Sequence, residues 1–266
     1  MPYADADGEA SRMNTTDKAA ELLRLHTDPE LLVLVNVWDV ASARVVADLP
    51  GCKAIATASA AIAACYGYED GERIPLDLAL DMTARIVDAT DLPVSADLEA
   101  GYGDVATTIA RAISVGVVGA NLEDQMRPLP VAVAAVETAV HAAEREGVPL
   151  VLNARTDAFL LGATRSPVDV LADAIARARA YLDVGASCVF VPGVLDALTI
   201  AELVGALGHG KLSILGLPGT PPPEELAALG VARVSYGPYP QRLALGALAG
   251  YAGELLSDRG SPANQS

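Results

Sequence analysis

Three short polar clusters hold the residues best suited to chemistry. Asp97 and Glu99 stand in PVSADLEAGYG (93–103), Glu123 and Asp124 in GVVGANLEDQ (116–125), and Arg155 and Asp157 in NARTDAF (153–159). Each cluster closes a short apolar run of β type. Extended residues alternate sides, so Asp97 and Glu99 point the same way and can converge on one cation. Neighbouring carboxylates repel unless a proton or a metal lies between them, and hard oxygen donors suit Mg²⁺, with Mn²⁺ as an alternative. Arg155 supplies a planar fork for a substrate carboxylate or phosphonate. Taken singly, Asp104 and Asp157 read as helix N-caps and Asp70, in GYEDGE (67–72), as a turn residue. Capping does not explain three successive strands that each end in acidic or arginine residues, and the set points to a metal and substrate site.

A competing pattern overlaps the first cluster. Gly101-Tyr-Gly103-Asp-Val-Ala106, with Glu123 about twenty residues on, has the spacing of a dinucleotide fingerprint. Asp97 and Glu99 sit just before the first glycine, where their charge would oppose an incoming pyrophosphate. The glycines are better read as a tight turn beside a metal. His26, His141 and His209 are scattered and read as surface residues, not bases. Trp38, next to Asp39 at the end of the first strand, either lines the pocket, as a substrate-binding residue, or plugs the barrel mouth.

These residues need a scaffold that brings strand ends together. From residue 31 onward, β-type runs at 31–36, 54–58, 93–97, 118–123, 150–155, 188–192, 212–216 and 232–236 alternate with Ala-, Leu- and Arg-rich helical stretches. The helical stretches fall near 41–49, 76–90, 105–115, 130–146, 167–184, 197–206, 223–229 and 240–256. Eight such units predict an α/β fold, a (β/α)₈ TIM-type barrel in a single domain over 16–256, with an open doubly wound sheet as the rival. Residues 1–15 and 257–266 carry little that could pack and are read as loose ends. In a parallel barrel the chemistry gathers at the carboxyl ends of the strands, where the three clusters fall.

Composition narrows the class further. The 266 residues are 52% hydrophobic and 20% charged, which suits a globular domain and excludes disorder. A net charge of −16 disfavours nucleic acid and anionic membranes, and an anionic substrate would need a cation to offset it. Cys52, Cys65 and Cys188 form no CxxC pair, in keeping with a reducing, cytoplasmic setting. The polar N-terminal stretch does not read as a signal peptide, and no apolar run approaches the roughly 20 residues needed to cross a bilayer.

In order and spacing, NVWDVASARV (36–45), ATASAAIAACYGYEDGE (56–72) and the three clusters resemble the isocitrate lyase and phosphoenolpyruvate mutase superfamily, over about Val35 to Leu245. The resemblance implies a (β/α)₈ barrel, exchange of a C-terminal helix between subunits of a homodimer or homotetramer, and Mg²⁺ bound with a small anionic oxo acid. It implies Asp97 as the main metal ligand, with Glu99, Glu123 and Asp70 acting directly or through water. Ser59 and Ala60 would bind the substrate's carboxylate and oxo oxygen, and Arg155 would hold the substrate, giving Asp97 and Arg155 the catalytic roles. The implied activity is a Mg²⁺-dependent lyase or hydrolase that cleaves a C–C bond in an α-oxo or 2-hydroxy carboxylate through an enolate. A phosphonopyruvate-type P–C mutase or hydrolase and a non-catalytic oxo-acid binder are the alternatives. Several positions depart from the family's pattern. Glu99 stands where many members have Asp, and Glu123-Asp-Gln125 runs straight into Met126-Arg-Pro-Leu-Pro130 with neither the lyases' Cys-Gly-His loop nor the mutases' Lys and Asn. Gly193 and Ser213 replace a glutamate and an asparagine of the lyases.

Overall fold

The computed structural model describes residues 13–257. The chain opens with helix α1 (Thr15–Thr27), then β1 (Leu32–Leu34), β2 (Asn36–Val37), α2 (Val40–Ala47), β3 (Ile55–Thr57), α3 (Ser59–Cys65), α4 (Leu76–Asp88), β4 (Val94–Asp97) and α5 (Val105–Ser114). It continues through β5 (Gly119–Glu123), α6 (Leu129–Arg145), β6 (Val151–Arg155), α7 (Ala158–Leu161), α8 (Pro167–Asp183), β7 (Cys188–Val191), α9 (Ala197–Leu207), β8 (Leu212–Leu215), α10 (Pro223–Leu229), β9 (Arg233–Ser235) and α11 (Tyr239–Leu256).

All pairings are parallel, in the order β1-β9-β8-β7-β6-β5-β4-β3-β2. The two ends of that order are adjacent in sequence. What reads as one strand at 31–36 is divided at Val35: β1 pairs with β9 in the register Leu32↔Arg233, and β2 pairs with β3 in the register Asn36↔Ala56. The first strand thus turns from its last neighbour to its next and closes a (β/α)₈ barrel. The other seven strands fall within one residue of their expected limits at each end.

Inward and outward residues alternate. Outward positions such as Ala120, Leu122, Leu152 and Val189 join the helices in the main apolar core. Several inward positions are polar: Asn153 Nδ2 donates to Asn121 Oδ1 at 2.8 Å and to Ser213 Oγ at 3.3 Å, and Arg233 Nη1 donates to Ser95 Oγ at 3.1 Å. The helices are started by local chemistry. Asp39 and Ser42 form a reciprocal capping box on α2, and Asp104 and Asp196 accept from the third residues of α5 and α9.

Three helices lie outside the expected eight: α1, α3 and α7. Helix α1 carries Asn14 as its cap and buries Ala19, Leu22, Leu25 and His26. Leu22 packs where a Cβ on Gly119 would come within 2.6 Å, so only glycine lets α1 approach the start of β5. His26 is buried, not at the surface as expected, with Nδ1 donating to the Leu22 carbonyl at 2.8 Å. Its burial and the charge of Arg233 lower its pKa to about 4, so it is held neutral. Thr15, the last residue of the segment read as a loose N-terminus, is the first of α1; 1–12 and 258–266 lie outside the described residues. No described helix is long and apolar enough to cross a membrane.

Candidate active site

At the carboxyl ends of the strands is a cavity of about 180 Å³, lined by Ser59, Ala60, Asp70, Asp97 and Arg155 among others. Asp97 is the last residue of β4. Its N–H donates to Thr57 Oγ1 at 2.9 Å, and its Oδ2 accepts from both the N–H (3.1 Å) and the hydroxyl (2.8 Å) of Ser59. Two bonds fix the carboxylate and a third its backbone, yet Oδ1 is buried without any hydrogen-bond partner. An anionic oxygen stripped of water and left unpaired is costly, and a cation is the natural complement.

Five of the eight expected site residues line this cavity, and three do not. Glu99 is 2% exposed, and its side chain accepts from the Glu72 N–H and the Tyr102 hydroxyl. Burial, and then the charge of Asp97, push its carboxyl up to about 7. Glu123 pairs with Arg155 Nη1 at 2.8 Å and accepts from Gln125; burial pushes it up to about 7 against the pull of Arg155. Trp38 packs against the apolar cluster of Val37, Ala43 and Ile55 and is not among the residues that line the cavity. Among the described residues, no group of three or more Asp, Glu, His or Cys side chains forms a ready cage for an ion. The donor set still fits Mg²⁺, which typically takes one or two carboxylates and keeps several waters. Asp97 and Asp70 both line the cavity, whereas Glu99 and Glu123 do not.

Arg155 is held as firmly as Asp97. Its Nη1 is taken by Glu123 and its Nε by Asp157 Oδ1 at 2.7 Å, which leaves Nη2 uncommitted. Burial disfavours its charge, but Glu123, Asp157 and Asp97 outweigh that and keep it protonated. Asp157 does not cap α7 through its side chain, contrary to the N-cap expectation, because its carboxylate is spent on Arg155. Behind this pair, Asp124 ties three segments together. Its Oδ1 accepts from the Met126 N–H (2.9 Å) and the Asp157 N–H (3.0 Å), and its Oδ2 accepts from Tyr181 Oη (2.7 Å) and Arg177 Nη1 (3.1 Å).

The glycine-rich run makes the tight turn expected of it. Glu99, Gly101, Tyr102 and Gly103 all have positive φ, and a Cβ on Gly101 would lie 2.7 Å from Val105 Cγ2. The short link from β5 to α6 is also tight, with Gln125 and Met126 in the left-handed region. Ser213 lies in the barrel interior beneath the cavity, and neither it nor Gly193 lines it. The sequence reading missed Asn36, Asn121, Ser235 and the apolar residues Leu160, Phe190, Pro192, Leu215 and Pro238. Asn121 stands two residues before Glu123, in the same inward phase, so strand alternation was the signal available for it.

Comparison with known proteins places this architecture. Residues 22–256 match the phosphoenolpyruvate phosphomutase family. An oxaloacetate decarboxylase of Ectopseudomonas mendocina is 32% identical over 211 residues, covering 76% of this chain and 72% of that one. A crystal structure from Burkholderia cenocepacia J2315 is 42% identical with a TM-score of 0.85, covering 91% of this chain and 99% of that chain. Oxaloacetate acetylhydrolase in complex with its product oxalate is 27% identical with a TM-score of 0.83, covering 95% of this chain and 92% of that one.

Proposed function

The chain belongs to the phosphoenolpyruvate phosphomutase family, and from that premise we propose that it is a Mg²⁺-dependent lyase or hydrolase cleaving a C–C bond in a small α-oxo or 2-hydroxy carboxylate through an enolate. The observation that carries this reading is Asp97 Oδ1, buried and unpaired in a side chain that lines the cavity. Asp97 would hold the ion, oriented by Ser59 and Thr57, with Mn²⁺ as the alternative metal. When bound, Mg²⁺ supplies a Lewis acid at the oxygen where enolate charge develops. Ser59 spends both its donors on Asp97. Its part is therefore to fix that ligand, while Ala60, in the first turn of α3, has an N–H with no intrahelical acceptor to offer the substrate. Arg155, steadied by Glu123 and Asp157, would hold the substrate's carboxylate through Nη2. No cysteine or histidine lines the cavity, so the enolate would take its proton from water.

The same reading covers assembly. Helix α11 buries only Gln241 among its residues, while Leu243, Leu245, Leu248, Tyr251, Leu255 and Leu256 are each at least 50% exposed. An apolar face of that extent calls for cover. We assign it to a second copy of the chain, in a homodimer or homotetramer with exchange of this helix; the three free thiols suit a reducing cytoplasm.

The test is turnover. Purified protein with Mg²⁺ should release pyruvate, glyoxylate or oxalate from at least one member of a panel of α-oxo and 2-hydroxy acids that spans oxaloacetate-like, methylisocitrate-like and monocarboxylic members. Release from phosphonates alone would favour P–C chemistry. Oxalate binding without turnover of any panel member would favour a non-catalytic oxo-acid binder.

A further inference from the structure

The cavity has two unlike sides. In the closed ring of strands, β3 and β4 lie across from β7 and β8. The first side brings Ser59, Asp70 and Asp97; the second brings Phe190 of β7 and Pro192 just after it, Leu215 from β8, Ser235 at the end of β9 and Pro238 after it, and Leu160 of α7 completes it. Leu160 is 45% exposed, so part of its side chain is free to meet a ligand. Charge is just as uneven. Among the described residues, Arg155 is the one cation that lines the cavity, and two of its three nitrogens are already committed to Glu123 and Asp157. Arg127, in the short link after β5, lines a separate small cavity together with Glu123 and Arg155.

Resting on the oxo-acid reading above, we propose that the substrate is an α-oxo acid whose far end is uncharged and aliphatic, and that Leu160, Phe190, Pro192, Leu215 and Pro238 select it against a second carboxylate or a phosphonate. One metal ion and one free guanidinium nitrogen satisfy a single α-oxo carboxylate. A second anionic group would meet that wall with the Ser235 hydroxyl as its one side-chain donor and no counter-charge, and burying an unpaired charge there is heavily disfavoured. An alkyl chain gains from the same wall, about fourfold in affinity for each added methylene. The volume agrees: about 180 Å³ holds roughly six water-sized groups, enough for an α-oxo acid head and a short chain.

The experiment compares two five-carbon acids that differ only at the far end. 2-Oxovalerate and 2-oxoglutarate are titrated as competitors of oxalate, on wild-type protein with Mg²⁺. The expected result is that 2-oxovalerate binds at least tenfold more tightly than 2-oxoglutarate and more tightly than pyruvate. Leu160→Arg, at a half-exposed position that tolerates charge, should narrow that preference about tenfold by giving the far carboxylate a partner. If oxalate fails to bind, the oxo-acid reading itself falls and this proposal with it. If oxalate binds but 2-oxoglutarate equals or surpasses 2-oxovalerate, or Leu160→Arg leaves the ratio unchanged, this proposal alone is overturned.

Discussion

Removing the Asp124 carboxylate tests whether the active-site arginine depends on a buried network behind it. Asp124 is 5% exposed and accepts four hydrogen bonds, from the N–H groups of Met126 and Asp157 and from Tyr181 and Arg177. Asp124→Ala strands the Tyr181 hydroxyl in a fully buried side chain and takes from Arg177, whose side chain is 8% exposed, its most buried partner. Breaking a buried ion pair by deleting one member costs about 3–5 kcal/mol. Arg177 keeps Asp173 at 3.1 Å and the Arg127 carbonyl at 2.9 Å, which places the expected loss near the lower end, about 3 kcal/mol. For a domain of this size, that lowers Tm by roughly 6–12 °C. Urea unfolding and thermal melts of Asp124→Ala, Arg177→Met and the double variant measure it. Because each single change leaves a buried group unpaired, the double variant should be clearly more stable than the two losses added together. Oxalate affinity should fall in Asp124→Ala as well, since the Asp157 backbone that steadies Arg155 loses its anchor. A loss below about 1 kcal/mol, or strict additivity in the double variant, would refute the network's role.

Other consequences are open to direct measurement. His26 is held neutral with a folded pKa of about 4, below its ordinary value of 6.5, so its contribution to stability is present above pH 6.5 and is lost as pH falls toward 4. Relative to His26→Leu, wild-type protein should lose about 2 kcal/mol between pH 7.5 and pH 5, read from urea midpoints; parallel pH profiles would contradict the burial argument. Gly101→Ala meets both a φ of +95° and a Cβ contact 2.7 Å from Val105 Cγ2. It should therefore destabilise by about 1–3 kcal/mol and weaken oxalate binding, whereas wild-type melting would show that the turn can relax. On α11, Leu248→Asp with Tyr251→Asp should convert a dimer or tetramer to monomer in light scattering, and a monomeric wild type would contradict the assigned role of that helix.

The barrel was legible because parallel strands buried on both faces write continuous apolar runs, and helices between them restore the longer period. The division of the first strand at Val35 was not, because closure depends on pairing Leu32 with Arg233, 201 residues on, and nothing local announces it. Helix α1 went unseen despite Asn14 and the Ala19, Leu22 and His26 spacing, because its stripe is short and its partner is Gly119. At the site, Asp97 and Arg155 could be placed from strand ends alone. What each side chain spends its hydrogen bonds on could not: Ser59 serves Asp97, Glu123 serves Arg155, and Glu99 faces Glu72 and Tyr102. The apolar wall was invisible for a simpler reason, since Phe190 and Leu215 in a β-type run look like any other core residues.

In the proposed function, a divalent ion held by Asp97 joins this acidic protein to an anionic oxo acid. Calorimetric titration of oxalate into wild-type protein and Asp97→Ala, each with Mg²⁺ and with EDTA, tests it most directly. Oxalate should bind wild type with Mg²⁺ only, and Asp97→Ala under neither condition. Oxalate affinity unchanged by EDTA, or retained in Asp97→Ala, would contradict it.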